Sequence, residues 1–143
     1  MQCEFCANHE IEKRIIYRDE YVMAFPTNIP IVPGHVLLCP VRHVSTLEET
    51  APEEREALFR LQSKLKSAMK TAFGAEGFNY AWNEGKAAGQ HVSHYHMHMI
   101  PRKEGDAGIY QYDPRQFLYR PGSRATSPED ELDAVAQLVR THL

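Results

Sequence analysis

The stretch GQHVSHYHMHMIPR, residues 89–102, sets His94, His96 and His98 at strict two-residue spacing, with Tyr95, Met97 and Met99 between them. A period of two marks a β-strand, in which residues i, i+2 and i+4 share a face and rise about 3.3 Å per residue. The three imidazoles therefore line one side at intervals of about 7 Å, and the three large apolar side chains point the other way, into a core. Any fold for this chain must give that strand one packed face and one face that accepts polar groups.

The rest of the pattern builds a sheet around it. KRIIYRDEYVMAFP reads as two short strands, about Ile15–Tyr17 and Val22–Phe25, joined by a turn at Arg18, Asp19 and Glu20. NIPIVPGH, with two prolines and a glycine, is a loop. HVLLCPVR follows as a continuous apolar run, suited to a buried strand. TAPEEREALFRLQSKLKSAMKTAFG is a long helix, with Thr50 as its cap, Glu53 closing a capping box and Gly74 ending it. Its apolar stripe is Leu58, Leu61, Leu65, Ala68, Met69 and Ala72.

GFNYAWNEG alternates as a strand, and the small-residue turn GKAAGQ joins it to the histidine strand as an antiparallel hairpin. After Arg102 the chain is polar and irregular until Ser127 and Pro128, read as the cap and first residue of a final helix with Leu132, Val135, Ala136 and Val139 inward. Hairpin-linked strands, one long central helix and a C-terminal helix define an α+β class with an antiparallel sheet. Residues 1–143 hold no repeat and no linker long enough to divide them, so one domain is expected.

Composition narrows the classes. With 43% hydrophobic and 24% charged residues the chain reads as an ordinary globular domain, and a net charge of −3 argues against broad nucleic-acid binding. No apolar run approaches the ~20 residues of a membrane span. MQCEFCANHE shows no basic-then-apolar secretory pattern, and an odd count of three cysteines argues against a disulfide framework, so a cytoplasmic location is expected.

Three chemistries compete for the histidines. A chance cluster on a solvated face would need no apolar alternation behind it. A metal could take two of them together with ligands from elsewhere. Bonds of about 2.0–2.1 Å make it hard for the outer two of one strand to converge on a single ion, so a centre built from this strand alone is not expected. Covalent catalysis fits best: neutral imidazole is a nucleophile near pH 7, and its neighbours can donate hydrogen bonds to an anionic substrate. GKAAGQ supplies backbone N–H groups for phosphate oxygens, which points to phosphoryl or nucleotidyl transfer through His96. Cys3 and Cys6 have the spacing of a zinc knuckle or a redox pair, although no βαβ context supports the latter. Cys39, within an apolar run, reads as a core residue.

HYHMHMI is similar to the histidine-triad signature, His-φ-His-φ-His-φ-φ with φ apolar. GQHVSHYHMHMIPRKEGD and PIVPGHVLLCPVRHVSTL resemble the fragile-histidine-triad branch of that superfamily over residues 3–105. The resemblance implies a homodimer that binds purine nucleotides and cleaves dinucleoside polyphosphates at the α-phosphate. It implies that His96 attacks, that His98 contacts the phosphate, and that His94 and His35 orient the imidazoles. Gly89, Gln90, His91 and Val92 would cradle phosphate oxygens, Asn83 would make a polar nucleotide contact, and Phe25 with Thr27 or Asn28 would shape the nucleoside pocket. Relatives often carry Ser or Thr where this chain has His91, and Asp or Asn where it has Thr27.

Some triad proteins with an N-terminal cysteine pair bind a structural zinc, and by that likeness its ligands are Cys3, Cys6, His43 and His94, with His9 a competitor by proximity. The chemistry requires no catalytic metal, though magnesium is an expected companion of a polyphosphate. A phosphoramidase sharing the same intermediate, and a nucleotide-binding sensor or partner module with little turnover, are the rival functions.

Overall fold

The computed structural model describes residues 3–108 and 125–143. Two short helices, α1 (Glu4–Ala7) and α2 (His9–Lys13), precede strands β1 (Tyr17–Arg18), β2 (Val22–Pro26) and β3 (Val36–Pro40). The long helix α3 (Pro52–Phe73), β4 (Gly77–Ala81), β5 (Met97–Arg102) and α4 (Glu129–His142) complete the order. The strands form one antiparallel sheet in the order β1-β2-β3-β5-β4, so the α+β expectation holds, with β3 central, β5 between β3 and β4, and β4 at an edge.

Alternation along the strands gives the sheet two apolar faces. Val22, Ala24, Val36, Leu38, Tyr95 and Met99 pack with Leu58, Leu61, Leu65 and Met69 of α3 and with Ala136 and Val139 of α4. Met23, Phe25, Leu37 and Cys39 face the other way and meet Phe5 of α1 and Ile11 of α2. No periodicity in the sequence announces α1 or α2. Arg14, at the end of α2 and 4% exposed, donates to the Pro26 carbonyl and both carboxylate oxygens of Glu129, tying this segment to the first turn of α4. No described helix is long and apolar enough to cross a membrane.

Several boundaries differ from expectation by a residue or more. β1 starts later, at Tyr17, because the Asp19 carboxylate accepts from the N–H groups of Tyr21 and Val22 and fixes the turn there. Thr50 does not cap α3. Its hydroxyl donates back to the Leu47 carbonyl, Ala51 takes the cap position, and Glu54 rather than Glu53 accepts the Ala51 N–H at 2.7 Å. Gly74 does end α3, at φ +65°. At α4 the cap is Pro128, while the Ser127 N–H donates to the Asn28 carbonyl.

The histidine strand begins at Met97, not His94. Leu38 pairs with Met97, but Pro40 has no N–H to extend the ladder, and its carbonyl accepts the His94 ring instead. Most of the irregular segment after Arg102 lies outside the described residues, and with it the expectation that it closes over the site or supports a dimer.

Candidate active site and metal centre

The imidazoles gather on the sheet face opposite α3. His98 is in β5 and 7% exposed; His96 and His94 precede it, His94 fully buried. The rings of His96 and His98 lie 5.2 Å apart. His35 arrives from the PIVPGH loop, where Gly34 at φ +94° lets the backbone pass the rings of Phe73 and Pro101 so closely that a Cβ would sit 2.8 Å from the former.

The hydrogen bonds assign the proton on each ring. The Ile31 N–H donates to His35 Nδ1 at 3.0 Å, so His35 carries its proton on Nε2 and donates it to His98 Nδ1 at 2.9 Å. His98 therefore holds its own proton on Nε2. His96 Nδ1–H donates to the His94 carbonyl at 2.7 Å, which leaves the His96 Nε2 lone pair available. Burial pushes the His96 pKa below its ordinary value, against a smaller opposite pull from that carbonyl and from Glu4.

His94 meets His96 through its backbone and the two thiols through its ring. Its Nε2–H donates to the Pro40 carbonyl at 2.7 Å, and its Nδ1 lies 3.5 Å from the sulfur of Cys3 and 3.5 Å from that of Cys6. Only the backbone of His94 reaches His96; the ring is turned to the thiols. His43 Nδ1 approaches the Cys6 sulfur at 3.8 Å. The ligating atoms of Cys3, Cys6, His43 and His94 all lie within 4.8 Å of one another, the one such group among the described residues.

Two thiols and two imidazole nitrogens are the donors zinc prefers, and bonds of about 2.0–2.3 Å to a tetrahedral ion place ligand atoms about 3.3–3.8 Å apart, the range of the 3.5 and 3.8 Å sulfur–nitrogen approaches here. The Pro40 carbonyl supplies the outer hydrogen bond that turns His94 Nδ1 towards the metal. His9, exposed at the start of α2, is not part of the group, and magnesium gains no support from the described residues.

At two residues of the expected phosphate cradle the main-chain N–H groups are engaged within the turn. Gly89 ends a 3-10 turn with its N–H on the Lys86 carbonyl, and Gln90 gives its N–H to the Gly85 carbonyl. The Gln90 side chain accepts from Gly85 N–H and donates to the Ser45 carbonyl, so it holds the turn against the loop after β3. Further along, the N–H groups of Val92 and Ser93 make no hydrogen bond among the described residues. The open donors of this segment sit nearer the triad than glycine content suggests.

Phe25 is buried, and Thr27, also buried, accepts the Ile29 N–H at 3.4 Å, so its hydroxyl is engaged locally. Asn28 and Asn83 are half-buried and His91 is exposed. The sequence analysis missed Phe5. Its ring stands edge-on to His96 at 5.0 Å and to Phe25 at 5.3 Å. Its position between the two cysteines was the available signal.

This constellation is that of a histidine-triad protein: the HIT domain family model matches residues 8–105, and the chain belongs to that family. It is 38% identical over 96 residues to the asymmetrical bis(5'-nucleosyl)-tetraphosphatase of Schizosaccharomyces pombe, covering 67% of this chain and 53% of that protein. It is 36% identical over 95 residues to the bis(5'-adenosyl)-triphosphatase of Dictyostelium discoideum, covering 66% and 64%. The matches thus span about half the length of the first relative and under two thirds of the second. Among solved structures, a zinc-bound histidine triad family protein from Mycobacterium smegmatis aligns with a TM-score of 0.72 at 28% identity, over 99% of this chain and 93% of that one.

Proposed function

We propose that residues 1–143 form a single domain that hydrolyses dinucleoside polyphosphates at the α-phosphate through a nucleotidyl group carried on His96. The observation that carries this reading is the 2.7 Å hydrogen bond from His96 Nδ1–H to the His94 carbonyl, which fixes the ring with Nε2 as the free nucleophilic atom. His96 Nε2 attacks the α-phosphorus as the bond to the bridging oxygen breaks, and the nucleoside polyphosphate leaves with that oxygen and its electron pair. His98 Nε2–H donates to a non-bridging phosphate oxygen, where negative charge is held during attack. Water then displaces the imidazole, releases the mononucleotide and restores His96.

Phe25, Thr27, Asn28 and Asn83 line the nucleoside side of the site, and the Val92 N–H with His91 meets phosphate. Bound zinc at Cys3, Cys6, His43 and His94 would supply a structural cross-link and no step of the reaction. An amine leaving group would use the same residues, but the two polyphosphatase relatives favour an oxygen one. The chain acts as a homodimer through the β4 edge, where Tyr80 and Trp82 are 38% and 44% exposed. Its three unpaired thiols suit the cytoplasm.

The test is intact-protein mass spectrometry after brief mixing with diadenosine tetraphosphate at neutral pH, beside a His96→Ala variant. An adenylyl adduct on the wild type alone, with AMP released, is the expected result. Tight nucleotide binding with neither adduct nor AMP would replace the hydrolase with a nucleotide-binding module.

A further inference from the structure

The metal centre and the nucleophile meet on one aromatic ring. Helix α1 is a single turn of four residues, far too short to hold its own shape, with Cys3 capping it, Cys6 inside it and Phe5 between them. Cys6 is exposed, so little apolar burial holds its thiol in place, while Cys3 is half-buried and packs against the Phe5–Phe25 cluster. Phe5 is 9% exposed, edge-on to His96 at 5.0 Å and an interplanar angle of 87°, edge-on to Phe25 at 5.3 Å, and 5.8 Å from His94. The same turn thus grips the metal ligands with two side chains and covers the His96 ring with the third. His94 completes the connection: its Nδ1 faces the thiols while its carbonyl fixes His96.

We propose that the Cys3–Cys6–His43–His94 centre is a latch for the nucleophile: a bound metal clamps α1 so that Phe5 closes against His96 and sets the ring's exposure and orientation. Phe5 is a positioning residue in this scheme. Metal binds the closed arrangement and not the open one, so occupancy shifts the population towards closed. Where His96 also carries the nucleotide, which is the reading proposed above, the linkage is reciprocal: zinc strengthens nucleotide binding by the factor by which nucleotide strengthens zinc binding.

The experiment uses the full chain, zinc-loaded and EDTA-stripped, as wild type, Phe5→Ala and Phe5→Leu. The rate of His96 modification by diethyl pyrocarbonate, located by fragment mass spectrometry, reads the latch without any nucleotide. AMP affinity and the split between kcat and KM read its effect on function. Stripping zinc from wild type is expected to speed His96 modification and weaken AMP binding, each about tenfold, with zinc restoring both. Phe5→Ala shows the fast modification while still loaded and no response to chelation, and Phe5→Leu recovers part of the protection.

Equal His96 reactivity in loaded and stripped wild type, or zinc protection that persists in Phe5→Ala, overturns the proposal. Where stripping unfolds the chain, the loaded variants decide: a His96 in Phe5→Ala no more reactive than in wild type also overturns it. Zinc protection of His96 without AMP binding or AMP release would remove the hydrolase reading and leave the latch standing.

Discussion

His35 Nε2 lies 2.9 Å from His98 Nδ1, and the Ile31 N–H that donates to the far side of His35 decides which of the two carries the shared proton. A main-chain amide in a proline-rich loop therefore fixes the tautomer of a triad histidine. His35→Ala removes that relay and leaves His98 free to turn or change tautomer. Turnover is expected to fall about 10- to 100-fold, as for other groups that orient a reacting side chain. Steady-state kinetics measure the loss, and nitrogen chemical shifts of His98 report the tautomer directly.

Gly34 sets where His35 can stand. At φ +94° a side chain is strained, and a Cβ would meet Phe73 at 2.8 Å and Pro101 at 2.9 Å. Gly34→Ala is expected to cost about 1–3 kcal/mol by denaturant unfolding. It should also lower kcat/KM, because the displaced loop carries His35 with it.

Glu54 is buried against the start of α3. It accepts from the Ala51 N–H at 2.7 Å and from the Arg42 guanidinium at 2.7 and 3.3 Å. Burial works to raise its pKa, but these hydrogen bonds outweigh it and hold the carboxyl below its usual range. Glu54→Ala leaves the Ala51 amide unpartnered and is expected to cost about 1–2 kcal/mol, the scale of a lost helix cap, read as a fall in Tm.

Asp106 gives a pH signature. Its two oxygens accept from Arg102 at 2.9 Å each, with the N–H groups of Gly108 and Lys103 adding to the hold, and the carboxyl stays well below its ordinary range. A depressed native pKa adds stability that is complete above the unfolded value of about 3.9 and is lost as pH falls through the native one. Unfolding free energy should therefore drop below about pH 4. Asp106→Asn should cost about 1.5–3 kcal/mol at pH 7 and flatten that acid limb, measured by urea titrations from pH 2 to 7.

Periodicity made the core of the molecule legible. The alternation through Tyr95, Met97 and Met99 and the stripe from Leu58 to Met69 fixed which sides of β5 and α3 turn inward, because those positions follow from backbone geometry alone. The cysteine–histidine cluster was legible by likeness, since Cys3 and Cys6 stand 37 or more residues from His43 and His94 and only the fold brings them together. The segment from Glu4 to Lys13 was opaque. Its helices have four and five residues, little more than one turn each and too short to repeat an amphipathic pattern, and they owe their shape to contacts with β2 and β3. The turn through Gly89 and Gln90 was half legible: its glycines mark the bend, but nothing local shows that the Gly89 and Gln90 amides close the turn on itself.

The pairing of β5 with β3 matches Leu37 with His98 and Val36 with Met99. Slide β5 by one residue and every side chain changes face. His98 would then be driven beneath α3 among Leu65 and Met69, while Met97 and Met99 took its place beside Phe5 and Phe25. No such arrangement satisfies an imidazole's hydrogen bonds, so the mispaired sheet is disfavoured on both faces at once. The histidine signature is thus also an assembly instruction, since the residues that would do chemistry in the finished protein penalise the wrong alignment while the chain is still folding.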